Sequence, residues 1–84
     1  MVQQQVTMQI PEGLHMRPAG LLANALTAFA ADITLEHKGQ KINAKSVISL
    51  MQASIACGDS VTVICEGSDE KEALSCAVKM LQRE

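Results

Sequence analysis

The chain has 84 residues, 48% of them hydrophobic, a formal net charge of -2 and one aromatic side chain, Phe29. A chain of this length supports one domain with a single core, here to be built from Val, Ile, Leu, Met and Ala. With neither a basic field nor an aromatic platform for stacking bases, nucleic-acid binding is disfavoured.

Val2 to Ile10 alternates, with Val6, Met8 and Ile10 on one face and Gln5, Thr7 and Gln9 on the other, which predicts a half-buried strand. Pro11-Glu12-Gly13 breaks it. From Pro18 the apolar residues Leu21, Leu22, Ala25, Leu26 and Phe29 fall at helical spacing. Asp32 and the alternation of Ile33 and Leu35 signal a second strand. Lys38-Gly39 supplies a turn, and Ile42 and Ala44 continue as the return strand of a hairpin. His37, beside that turn, reads as an exposed strand residue. Ser46 precedes the compact apolar segment Val47 to Ala53 and reads as the N-cap of a short helix, on which Val47, Ile48 and Met51 cannot all point inward. Either Val47, Leu50 and Ile55 fill the core with the others singly exposed, or the helix presents an apolar patch. Gly58-Asp59 turns the chain into Val61, Val63 and Cys65, which alternate with Thr62 and Ile64. A final helix follows Gly67-Ser68-Asp69. Asp69 and Glu72 have capping-box spacing, Glu70 lies in the first turn, Leu74, Ala77, Val78 and Leu81 form the buried stripe, and Lys79 and Arg83 lie near the C-terminal end.

Four strands with one apolar face each require helices on that face, which predicts an α+β two-layer sandwich: a four-stranded antiparallel sheet covered on one face by three helices, with 1–84 as one domain. The order of elements alone also fits other small α+β folds, including ferredoxin-like ones. No repeat, linker or low-complexity stretch interrupts the chain. No apolar run approaches the ~20 residues needed to span a bilayer, and the N-terminus is polar, so a cytoplasmic protein without membrane insertion is expected. Cys57, Cys65 and Cys76 are odd in number and lack metal-type spacing. They read as small, partly buried side chains in a reducing compartment, with no metal site.

The chemistry concentrates in Gly13-Leu14-His15-Met16-Arg17-Pro18-Ala19. Gly13 allows a tight chain approach, and Pro18 suits the first position of a helix. The first-turn N–H groups, those of Met16 and its neighbours, and the positive end of the helix dipole then point back at His15, with the Arg17 cation beside them. An anion on the imidazole meets donors and positive charge on one side. That suits a phosphoryl group held on histidine.

These residues resemble the active-site motif of HPr, the histidine-containing phosphocarrier of the bacterial phosphotransferase system. The likeness extends over essentially the whole chain, with Lys45-Ser46-Val47-Ile48 similar to the serine that a dedicated kinase phosphorylates in HPr proteins of many low-GC Gram-positive bacteria. The resemblance implies the HPr open-faced sandwich and a stoichiometric carrier rather than an independent enzyme. His15 would accept a phosphoryl group at Nδ1 from phosphorylated enzyme I, with Arg17 stabilising it, and pass it to an enzyme IIA for sugar uptake. It implies no cofactor. Neutral imidazole is the attacking form, and the helix start with Arg17 disfavours the protonated one. A surface of Met16, Gly20, Asn24, Val47, Ile48 and Met51, to which the short helix and Met16 contribute an apolar patch, would meet partner proteins, and Ser46 would bring a serine kinase and a transcriptional regulator into the set. One departure stands out. Where many HPr proteins carry lysine or arginine this chain has Asn24, Thr27 and Ser49, with Gln40 near the hairpin turn, and of the basic rim Arg17 and Lys45 remain. Steering toward acidic partners is therefore weaker, with the apolar surface taking a larger share. A mainly regulatory protein, of the nitrogen branch or read out through phosphorylated Ser46, and a small-ligand-binding α+β module stay open as alternatives.

Overall fold

The computed structural model describes residues 1–11, 13 and 16–82; His15, Leu14, Glu12 and Arg83 are among the residues outside it. In chain order the elements are β1 (Val2–Thr7), α1 (Met16–Leu26), β2 (Asp32–His37), β3 (Gln40–Asn43), α2 (Val47–Gln52), β4 (Ser60–Glu66) and α3 (Glu70–Leu81). The four strands form one antiparallel sheet in the order β1-β4-β2-β3, so β4 is inserted between β1 and β2.

Alternation decides which face is covered. Val6, Ile33, Leu35, Ile42, Val61, Val63 and Cys65 point to one side and are buried there against Leu22, Leu26, Leu50 and Leu81 of the helices. Gln3, Gln5, Thr34, Glu36, Thr62 and Ile64 share the opposite face, which no helix covers. The expected α+β sandwich is therefore the one formed. The first strand ends at Thr7 rather than Ile10. Met8 still follows the sheet, donating to the Asp59 carbonyl at 2.8 Å and accepting from Gly58 N–H at 2.8 Å. The hairpin turn is built as expected, with Lys38 at φ 52° and Gly39 at φ 82°, the two positive values that a two-residue hairpin of this twist needs.

The helices differ in detail from the apolar pattern. In α1 the buried residues are Ala19, Leu22, Ala23 and Leu26, and Leu21, expected in the stripe, is 49% exposed. In α3 they are Ala73, Ala77 and Leu81, with Leu74 and Val78 half-buried. The capping box at Asp69 does not form. Its carboxylate instead reaches 39 positions back along the chain and accepts from the N–H groups of Ala30 (2.9 Å) and Ala31 (2.8 Å). Two donors in the connection ahead of β2 outcompete one in the helix. Glu70 takes over the local role, accepting from Gly67 N–H at 3.1 Å. Gly67 is fixed by close approach, since a methyl group there would lie 2.5 Å from Cα of Ala31. The cysteines diverge from a common expectation: Cys65 is buried, Cys76 half-buried and Cys57 exposed. Burial pushes the Cys65 thiol upward.

Backbone donors, from Ala30 to Asp69 and from Gly67 to Glu70, hold both carboxyls below their ordinary values. A carboxylate whose folded value is depressed stabilises the fold at any pH above its ordinary value of about 4, and ceases to as acid protonates it. Melting followed by circular dichroism should show a temperature that is flat near neutrality and falls below about pH 4. Asp69→Asn should lower the plateau and flatten the fall; an unchanged acid limb in that variant would remove Asp69 from the account.

Candidate functional site

The strand register brings the end of β1, the start of β4 and the end of β2 to one edge of the molecule, with Thr7 opposite Ser60 and Glu36 opposite Thr62. The chain leaving β1 there reaches Gly13, whose N–H donates to the Ile10 carbonyl at 2.9 Å. Gly13 is buried at φ 75°. A methyl group on it would meet the Ile55 carbonyl oxygen at 2.8 Å and Cα of Ala56 at 3.3 Å. Conformation and space thus both require glycine. His15, two residues on in sequence, lies outside the described residues.

α1 begins at Met16, so Pro18 is the third helical residue and not the first. It still falls within the first turn, where a missing N–H costs the helix nothing. No acidic residue occupies that turn, so the positive end of the helix dipole is not offset by the helix's own side chains. Met16 and Arg17 are both exposed. Arg17, Leu21 and Asn24 follow at helical spacing and share one exposed row, with Met16 and half-buried Gly20 in the adjoining one. Apolarity alone places Leu21 inward and misses it as a surface residue. The polar residues Arg17 and Asn24, four before and three after it, carry the contrary signal.

α2 lies along α1 in the opposite direction. Its far connection at Ile55 and Ala56 backs Gly13, ahead of α1, while Lys45, before its start, reaches Phe29 just beyond the end of α1. Ser46 caps the helix as expected, with extended φ and ψ and its Oγ accepting from Ser49 N–H at 3.3 Å. Leu50 and Ile55 are buried and Val47 half-buried, leaving Ile48 68% and Met51 38% exposed. Among the described residues, four of the five exposed large hydrophobics, Met16, Leu21, Ile48 and Met51, belong to this helix pair. Lys45 does not extend the basic rim: its ammonium donates to the Phe29 carbonyl at 2.7 Å. Half-buried, Lys45 is tied to the connection that follows α1.

His37 corrects a further expectation. It is 4% exposed, and its Nε2 lies 2.9 Å from Oδ2 of Asp59. The alternation itself carries the signal, because 37 keeps the parity of Ile33 and Leu35. Among the described residues no cluster of side chains could hold a metal ion, and no helix is long and apolar enough to cross a membrane.

A sheet open on one face, a glycine-bounded helix start at its edge and a serine-capped helix alongside define the class of small open-faced α+β sandwiches. Residues 2–83 match the model of the family described as PTS HPr component phosphorylation site. The HPr-like protein Crh of Bacillus subtilis is 42% identical over 84 residues, covering all of this chain and 99% of that one. Crh of Halalkalibacterium halodurans is 38% identical over the full length of both. The crystal structure of phosphocarrier protein HPr from Bacillus anthracis superposes with a TM-score of 0.93 at 38% identity over 96% of each chain. That of the Bacillus subtilis catabolite repression containing protein Crh, described as a swapped dimer, gives 0.79 at 41% identity over 98% of this chain and 94% of that one. The chain belongs to the HPr family, and these relatives are a phosphocarrier and HPr-like proteins.

The cap at Ser46 gives a direct stability test. Ser46→Ala should destabilise the protein by about 1 kcal/mol in urea unfolding, the usual worth of a serine N-cap. A change below a few tenths would mean that the Ser49 N–H finds water as readily.

Proposed function

We propose that the protein is a phosphocarrier that accepts a phosphoryl group on His15 from phosphorylated enzyme I and delivers it to an enzyme IIA. One observation carries the reading. α1 starts at the residue after His15 in sequence, with Arg17 in a first turn that holds no carboxylate. The Nδ1 lone pair of His15 forms the new N–P bond as the N–P bond of the donor histidine breaks and its electrons return to that ring. The proton on Nε2 of the acceptor ring need not move. Positioning and charge stabilisation suffice for such a transfer, which suits a domain with few special residues. Arg17 and the first-turn amides, including Met16, stabilise the bound group, with Pro18 setting the turn. Met16, Gly20, Asn24, Val47, Ile48 and Met51 meet the partners, with Leu21 added to that set and Lys45 withdrawn from the basic rim. The protein acts in the cytoplasm as one domain and serves sugar uptake and its control.

A regulatory reading has its own support, because two relatives are named as HPr-like Crh proteins and one solved relative is described as a catabolite repression protein. In that reading a kinase modifies Ser46 and a transcriptional regulator docks on α1 and α2. The dianion at Ser46 would sit at the start of α2, where helix amides tolerate it.

Incubation with phosphoenolpyruvate and enzyme I should add the mass of one phosphoryl group in an acid-labile form, lost in His15→Ala. Arg17→Ala should slow its appearance on the order of 100-fold. Retention of the label in His15→Ala would refute the assignment. An acid-stable, ATP-dependent mass gain with the kinase, abolished in Ser46→Ala, would favour the regulatory reading.

A further inference from the structure

The buried imidazole of His37 occupies a place where the phase of β2 calls for an aliphatic side chain. A polar ring there needs a partner to offset its desolvation. Asp59 supplies it, and because an ionised carboxylate accepts only, Nε2 carries the proton and donates. The same Oδ2 also accepts from Ala56 N–H at 3.0 Å. These two hydrogen bonds hold the Asp59 carboxyl below its ordinary range, the backbone one contributing more.

The 56–59 turn is closed from within and held from outside. Asp59 N–H donates to the Ala56 carbonyl at 3.1 Å, and the chain just past β1 is stitched on through Met8, Gly58 and Asp59. His37 adds a third support, from the end of β2. The side of this turn at Ile55 and Ala56 is the surface on which Gly13 rests, backbone against backbone with no side chain to absorb a shift. A displacement at Ala56 therefore reaches Gly13 directly, two residues before His15.

We propose that the His37–Asp59 pair positions the phosphorylation loop: it fixes the turn under Gly13 and so sets the approach of His15 to the incoming phosphoryl group. His37 and Asp59 are positioning residues in this scheme and touch no substrate. The proposal rests on the carrier function of His15, and its test separates the two.

Amide spectra of the full chain would compare Asp59→Ala, His37→Leu and His37→Gln with Leu74→Ala, a half-buried α3 variant that reports general destabilisation. The Gly13 amide resonance should move in Asp59→Ala and His37→Leu, return toward the parent position in His37→Gln, which retains a donor, and stay in Leu74→Ala. With phosphorylated enzyme I, the maximal rate of phosphorylation should fall on the order of tenfold in the first two variants. The KM for enzyme I should hold, because the α1 and α2 surface is untouched, and His37→Gln should recover most of the rate. An unmoved Gly13 amide together with a parent-like maximal rate in both disrupting variants overturns the proposal. So does a rate loss that Leu74→Ala reproduces. If the parent itself takes no phosphoryl group, the carrier reading fails, and the Gly13 resonance alone decides whether the pair acts on the loop.

Discussion

The rest of the structure depends on one aliphatic core in which alanine has a large part. Ala19 and Ala23 of α1 and Ala73 and Ala77 of α3 are buried beneath their helices, and Ala31 and Ala44 are fully buried beside the strands. Beside these alanines the fully buried core is aliphatic, with Met8, Leu22, Leu26, Leu35, Leu50 and Leu81 as its largest side chains. Such a core packs closely but contributes contacts that are non-directional. Directional contacts are concentrated in the connections between elements.

Those connections are tied by polar groups reaching across the chain. Asp69 binds the connection between α1 and β2, and Gly67 admits Ala31 against the backbone before α3. Lys45 is tied to the same connection, and Asp59 joins β2 to the turn that supports Gly13. Each of the three side chains has a local sequence that suggests something else, a helix cap for Asp69, a rim cation for Lys45 and a turn residue for Asp59. These contacts add directional ties to a fold whose core is aliphatic and whose sheet is open on one face.

This division explains what could be read from the sequence. Alternation in Ile33-Leu35 and Val61-Val63-Cys65, helical spacing and the Lys38-Gly39 turn are local signals, and they predict the elements and the layers. The cap at Ser46 is equally local, its acceptor and donor being three residues apart. Asp69 escapes such rules because its partners lie 38 and 39 positions away, where no spacing pattern reaches. Asp59 with His37, 22 positions apart, is the same case, although parity already marks His37 as inward. Leu21 shows the converse failure, an apolar residue assigned inward although its polar neighbours on the helix mark the surface.

The antiparallel course of α1 and α2 separates Ser46 from the start of α1. Ser46 lies near the far end of α1, and the 11 residues of that helix span about 16 Å. The screening length in physiological salt is about 8 Å, so a dianion at Ser46 would be felt at the helix start only faintly through solvent. Under the proposed function, exchange of information between the two ends would depend on a partner large enough to cover both, which would make the occupant of the helix pair, rather than the small domain beneath it, the place where two signals are compared.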